Sequence, residues 1–271
     1  MTETCLPAMP NAKADRPLFD SHVHLDAPEF DADRARVLRA AHAAGVSKML
    51  VPAVSAASWP NVHALCESTP GLYPAYGLHP CFLAQHGDGD PASLEDWLHT
   101  HSAVAVGECG LDFFEPGLDR ERQLRLLRGQ LAIAHQFDLP LVLHARRAFE
   151  RIILELRRFG KPLRGVVHSF SGSAEQAREL WRLGFRVGIG GPVTYERARR
   201  LRQVVASLPL ESLLLETDAP DQPGKQHHGQ RNEPTFLMEV LQCIAELRGE
   251  DPAELAAATT ANASRLFLKE S

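Results

Sequence analysis

The chain lacks the marks of several large protein classes. Its five cysteines, Cys5, Cys66, Cys81, Cys109 and Cys243, are odd in number and include no C-x-x-C pair, which argues against a disulfide framework and fits a reducing compartment. No apolar run approaches the roughly 18 residues that a membrane span needs. The first sixteen residues, MTETCLPAMPNAKADR, mix charges and have no apolar centre, so they read as a short flexible tail rather than a signal peptide. Positive charge is not in excess: 29 lysines and arginines face 34 acidic residues, a formal net charge of -5. That excludes a protein coating nucleic acid through a broad basic surface, but not one gripping it locally where metal ions supply the charge. No internal repeat, low-complexity segment or linker divides the 271 residues. A cytoplasmic chain with one domain over residues 17–271 is the expectation, with no obligate protein partner in view.

What the chain has is alternation. Short apolar runs at 18–24, 48–54, 72–79, 103–111, 139–145, 165–169, 185–190 and 212–217 are separated by longer segments. Helical spacing marks 31–44, 118–137, 148–159, 174–183 and 195–207, with two further helices at about 233–248 and 252–268. Eight near-continuous apolar strands alternating with helices predict an α/β fold, a (β/α)8 or TIM barrel, whose usual size is about 250 residues. A doubly wound sheet stays open, because periodicity cannot show closure. Asp31 and Asp119 stand where helix N-caps are expected, and Gly45, Gly160 and Gly184 where helices close.

Six side chains that suit a divalent cation lie at the ends of five of these runs. They are His22 and His24 in LFDSHVHLD, Glu108 in AVAVGECGLD, His144 in LVLHAR, His168 in GVVHSFSG and Asp218 in LLLETDAP. Imidazole and carboxylate are ordinary ligands for such ions, and strand ends deliver side chains to one rim of a barrel. A metal-dependent hydrolase is the reading.

Neighbouring residues carry weaker expectations. Period two puts Asp20 on the face of His22 and His24, as a possible acceptor behind a histidine. Glu216 is placed one layer below Asp218 in the same way, and Cys109 on the face opposite Glu108. Asp112 reads first as a loop cap. Arg146 is set to clamp an anionic group or to pair with a carboxylate, and His79 in GLHP to bind substrate. The loop 219–234, rich in Pro, Gly, Gln and His, is expected to overhang the rim, with His227 and His228 in it. The arginine-rich stretches at 146–158 and 197–202 are read as solvated helix faces.

In order, D-x-H-x-H-L, G-L-H-P, G-E-C-G-L-D, H-A-R, H-S-F-S-G, E-T-D-A-P and R-N-E-P resemble the TatD family of metal-dependent deoxyribonucleases, within the amidohydrolase superfamily. The resemblance spans about 18–267. It implies a binuclear site: His22, His24 and Asp218 on one ion, His144 and His168 on the other, and Glu108 bridging where other branches use a carbamylated lysine. Glu108 and Asp218 then serve catalysis, and His79 and Arg146 hold substrate. The implied cofactors are two divalent ions per chain (Mg, Mn or Zn) and the implied substrate is DNA at strand ends. A carboxyl-ester hydrolase, such as a D-aminoacyl-tRNA deacylase, is the alternative, and a non-catalytic metal-stabilised binding protein a third.

Overall fold

Residues 17–87 and 89–270 are described by a computed structural model, so the expected tail at 1–16 lies outside the described residues. Eight parallel strands pair in sequence order. They are β1 (Leu18–Asp20), β2 (Val46–Pro52), β3 (Leu72–Tyr76), β4 (Ala105–Asp112), β5 (Leu141–Arg146), β6 (Gly165–Val167), β7 (Phe185–Ile189) and β8 (Leu213–Leu215). Sequence order without a reversal rules out the doubly wound alternative. At the seam, Ser21 N–H donates to Leu215 O at 2.9 Å, Asp218 N–H to His22 O at 2.9 Å, and His24 N–H to Ala219 O at 2.8 Å. The barrel is therefore joined at the end where the candidate ligands lie.

Outside run α1 (Arg34–Ala43), α2 (Trp59–Ser68), α3 (Asp90–Thr100), α4 (Arg120–Gln136), α5 (Phe149–Phe159), α6 (Ala174–Arg182), α7 (Arg199–Ser207), α8 (Leu237–Arg248) and α9 (Pro252–Phe267). α5 shows why they form: Phe149, Ile152, Ile153 and Leu156 recur at helical spacing and are buried, with arginines outside. Helices α2 and α3, which the spacing does not mark, bury only Trp59 and Val62, and Leu94, among their residues. Asp119 caps α4 by accepting from Arg122 N–H at 3.0 Å, as expected. Asp31 does not cap α1, which starts at Arg34 after Asp33. The Asp31 carboxylate instead accepts from the Arg34 guanidinium at 2.6 Å.

Two apolar groups make the core. The larger lies between strands and helices; the smaller joins Phe19, Leu50, Ala75, Ala105, Val142, Val166 and Leu214 from seven strands to Ala263, Leu266 and Phe267 of α9. Helix α9 thus seals the floor of the barrel, opposite the rim where the candidate ligands lie. Two buried glutamines of α4 secure that rim. Gln123 accepts from Asp112 N–H (2.8 Å) and donates to Asp112 O (2.9 Å); Gln130 does the same to Leu78, at 2.8 and 3.2 Å. Each amide completes the hydrogen bonding of a chain segment leaving its strand. No helix among the described residues is long and apolar enough to cross a membrane.

Candidate metal centre

Glu108 stands at the middle of the rim, buried on β4. Its Oε1 lies 2.7 Å from His168 Nε2, 3.1 Å from His144 Nδ1 and 2.9 Å from His79 Nε2. Its Oε2 lies 3.1 Å from His22 Nε2 and 3.5 Å from His24 Nε2. The two oxygens therefore face two different histidine pairs. His22 Nε2 and His24 Nε2 are 3.2 Å apart, and 3.5 and 3.7 Å from Asp218 Oδ1. His144 Nδ1 and His168 Nε2 are 3.3 Å apart. All six expected ligands meet at one place. Close packing needs small neighbours: a Cβ on Gly110, which has φ +143, would overlap the His144 carbonyl oxygen.

Burial and mutual charge set the protonation. Burial would raise the Glu108 carboxyl, but His168, His79 and His22, with the hydrogen bond from His144, hold it well below the usual carboxylate range. Burial and the neighbouring His168 push His22 down to about 4, so its ring is neutral. Burial also acts to lower His168, yet Glu108, Asp218 and Glu216 outweigh it and carry it up to about 10. Imidazole nitrogens that face each other at little more than 3 Å, each pair with a carboxylate oxygen beside it, would offer converging lone pairs once a cation displaced the protons that the carboxylates now hold on His24, His144 and His168. That donor set fits divalent cations. His22, His24 and Asp218 form one candidate group, and His22, Glu108 and His168 another.

The ring nitrogens define further roles. His144 Nε2 donates to Asp112 Oδ2 at 3.0 Å and Nδ1 lies 3.1 Å from Glu108 Oε1. Burial acts to lower the ring, but the two carboxylates outweigh it and hold it above the usual imidazole range, so Nδ1 is the nitrogen that would give up its proton to a cation at the centre. Asp112 is thus more than the expected loop cap, although its Oδ1 does accept from Phe114 and Glu115 N–H at 2.9 Å each. His79 Nδ1 accepts from Cys81 N–H at 3.1 Å, so its Nε2 carries the proton and points it at Glu108. The Cys81 thiol donates to Asp112 Oδ2 at 3.3 Å, and burial pushes it up to about 12, so it stands as a donor and not as a thiolate ligand.

Asp20 departs from the expected role. Regular strand ends at Asp20, and its carboxylate accepts from Thr217 N–H (3.0 Å), Thr217 Oγ1–H (2.6 Å) and His22 N–H (3.3 Å). It ties β1 to the segment after β8 through the Thr217 main chain and hydroxyl, and makes no hydrogen bond to an imidazole among the described residues. Burial raises it to about 7. Glu216 is fully buried below Asp218 as expected, accepts from Ser169 N–H, and is pushed up to about 8 by burial. Gly188 on β7 makes its room, because a Cβ there would overlap Glu216 Oε2. Cys109 packs in the core, away from the centre.

A cleft of about 1110 Å³ opens over the rim, bordered by His24, His79, Arg146, Ser169, Asp218 and Gln222. Its size suits a substrate larger than a single small group. From the loop 219–234, Gln222 reaches in: its Nε2 donates to Asp218 Oδ2, and its Oε1 accepts from Ser169 Oγ–H at 2.9 Å. Nothing in the sequence marked this glutamine. His227 and His228 turn away; His227 Nδ1 lies 3.1 Å from Glu239 Oε2 and its ring stacks on Phe236. Arg231 pairs with Asp33 and Glu233, while Asn232 donates to Thr217 O (2.8 Å) and Asp221 O (2.7 Å), pinning the loop. Arg146 has no carboxylate partner among the described residues; its guanidinium lies 3.7 Å from the Phe114 ring centroid.

The chain is similar to known proteins. A family model for TatD related DNase matches residues 19–268. The chain is 45% identical to an uncharacterized metal-dependent hydrolase, YjjV, of Escherichia coli, over 92% of this chain and 97% of that one. It is 36% identical to the 3'-5' ssDNA/RNA exonuclease TatD of Erwinia tasmaniensis, over 92% and 99%. The crystal structure of the E. coli YjjV protein, a TatD homolog, superposes with a TM-score of 0.90 at 44% identity, covering 93% of this chain and 98% of that one. By its family model, its sequence relatives and its barrel, this chain belongs to the TatD family of metal-dependent hydrolases.

Proposed function

We propose that the protein is a deoxyribonuclease that hydrolyses phosphodiester bonds from the end of a DNA strand with two divalent ions. The observation that carries this reading is the division of Glu108: one oxygen faces His144 and His168, the other His22 and His24. His22, His24 and Asp218 would hold one ion, His144 and His168 the other, with Glu108 shared. Mg, Mn and Zn all suit such mixed nitrogen and oxygen donors. Bound there, the ions supply charge to polarise a phosphoryl oxygen and acidify a water. Relatives named as 3'-5' ssDNA/RNA exonucleases support a nucleic-acid substrate.

The chain's own groups do the rest. Asp218 faces the centre through Oδ1 while Gln222 holds Oδ2, so Oδ1 is placed to accept the proton of an attacking water. Arg146, unpaired at the cleft wall, neutralises phosphate charge. His79 has both ring nitrogens engaged within the protein and serves by fixing Glu108. The test is turnover of end-labelled single-stranded DNA beside an aminoacyl ester, in chelator and with Mg, Mn or Zn restored. The expected result is stepwise DNA shortening, abolished by chelation and restored to differing degrees by the three metals. Ester turnover with DNA intact would establish a deacylase, and metal binding without turnover of either a binding protein.

A further inference from the structure

Three large hydrophobic side chains are exposed among the described residues, Phe114, Leu154 and Met238. Leu154 and Met238 lie on outer helices α5 and α8, where isolated apolar residues are ordinary. Phe114 lies elsewhere, in the segment that follows β4 at the ligand-bearing rim. Its N–H donates to Asp112 Oδ1 at 2.9 Å, and the other oxygen of that carboxylate receives the proton of His144 Nε2 at 3.0 Å. One carboxylate thus separates the Phe114 main chain from a candidate ligand ring.

The ring is surrounded by cations. Arg146 lies 3.7 Å and Arg147 4.6 Å from its centroid, and Arg120 lies 4.6 Å from the adjacent Phe113 ring. None of the three arginines pairs with a carboxylate among the described residues, whereas most arginines on the outer helices near them, such as Arg128, Arg151 and Arg157, do. Arg146 also borders the cleft, so the aromatic position and the candidate centre share one guanidinium. The residue remains 40% exposed and its main chain is held. Arg146 and Arg147 lie over this ring, and a phosphate that drew these unpaired guanidinium groups to itself would uncover an aromatic face for the attached base, the pairing of stacking and charge that sequence-tolerant binding of a single strand uses.

We propose that Phe114, with Arg146 and Arg147, forms a base-stacking subsite at the mouth of the cleft for an unpaired nucleobase of a polynucleotide strand. The proposal rests on the phosphodiesterase reading and gives it a selectivity. A base inside a duplex has both faces covered by its neighbours, so the platform favours a strand end that is frayed or single. Because every base has a π-face, it imposes little sequence preference.

The probe is a short single-stranded oligonucleotide with 2-aminopurine at one end or the other, whose fluorescence is quenched when the base stacks. Titration with the full chain, in chelator and again with Ca²⁺, reads stacking without turnover. Wild type is expected to quench one of the two probes; Phe114→Ala should lose the quenching and bind roughly 10-fold more weakly, and Phe114→Trp should keep both. Absence of quenching by wild type in both conditions, or equal quenching by Phe114→Ala, overturns the proposal. Normal quenching by a protein that never shortens DNA would sink the phosphodiesterase reading and leave the platform standing.

Discussion

Asp112 decides which nitrogen of His144 faces the centre. By accepting the Nε2 proton at 3.0 Å, it turns the ring so that Nδ1, 3.1 Å from Glu108 Oε1, is the nitrogen a metal ion would take. A carboxylate behind a ligating imidazole fixes both tautomer and ring orientation. Asp112→Ala is therefore expected to weaken the binding of one ion about 10–100-fold, read by metal titration of the folded, metal-stripped protein. Unchanged affinity for both ions would show that the ring needs no such support.

Asp218→Asn keeps the shape of the side chain while removing its charge. Activity on DNA should fall by roughly 10²–10⁴, the range for a lost general base. The melting temperature should change far less, because Asp218 lies at the open rim and the sealed floor of the barrel is untouched. Near-normal cleavage by the folded variant would move proton acceptance elsewhere, with Glu216 the next residue to substitute.

Arg146→Ala separates phosphate recognition from site assembly. The guanidinium contacts Phe114 and no candidate ligand, so metal affinity should hold while kcat/KM for a DNA phosphodiester drops. A neutral ester should be affected little. Equal losses on both substrates would instead assign Arg146 to holding the rim together.

A stability prediction concerns Glu155, buried on α5 between Arg128 of α4 (2.7 Å) and Arg151 (2.8 Å). The hydrogen bond from Arg128 comes first among the causes that hold its carboxyl below the usual range. Since the folded value is the lower one, the stabilisation is complete above the ordinary carboxylate value and is lost as pH falls through the folded value. Glu155→Gln should cost about 1–2 kcal/mol at pH 7, discounted because the arginines face solvent, and a few degrees in Tm. The gap between variant and wild type should close on acidification; a gap that persists at low pH would point to packing instead of charge.

The candidate ligands were legible because each ends an apolar run, and a parallel barrel sends every such end to one rim. Their partners were not. Asp112 could be placed at the rim, but its grip on His144 depends on β4 and β5 lying side by side. Gln222 acts across the cleft on both Asp218 and Ser169, a contact with no sequence spacing. Asp20 misled because strict alternation was extended beyond the last strand residue, where the chain turns and the carboxylate reaches β8's continuation instead. Helices α2 and α3 escaped notice because few of their residues face the core, so the periodic signal is thin.

The pair of glutamines on α4 gives that helix the character of a ruler. Gln123 and Gln130 are seven residues apart, two turns of helix, and each meets the main chain of a different rim segment. Inserting one residue between them would swing one amide about 100° around the axis and free either Asp112 or Leu78 from its clasp. The spacing within α4 cannot drift without loosening the carboxylate that aims His144, so an indel on the outside of the molecule would be read out at its centre.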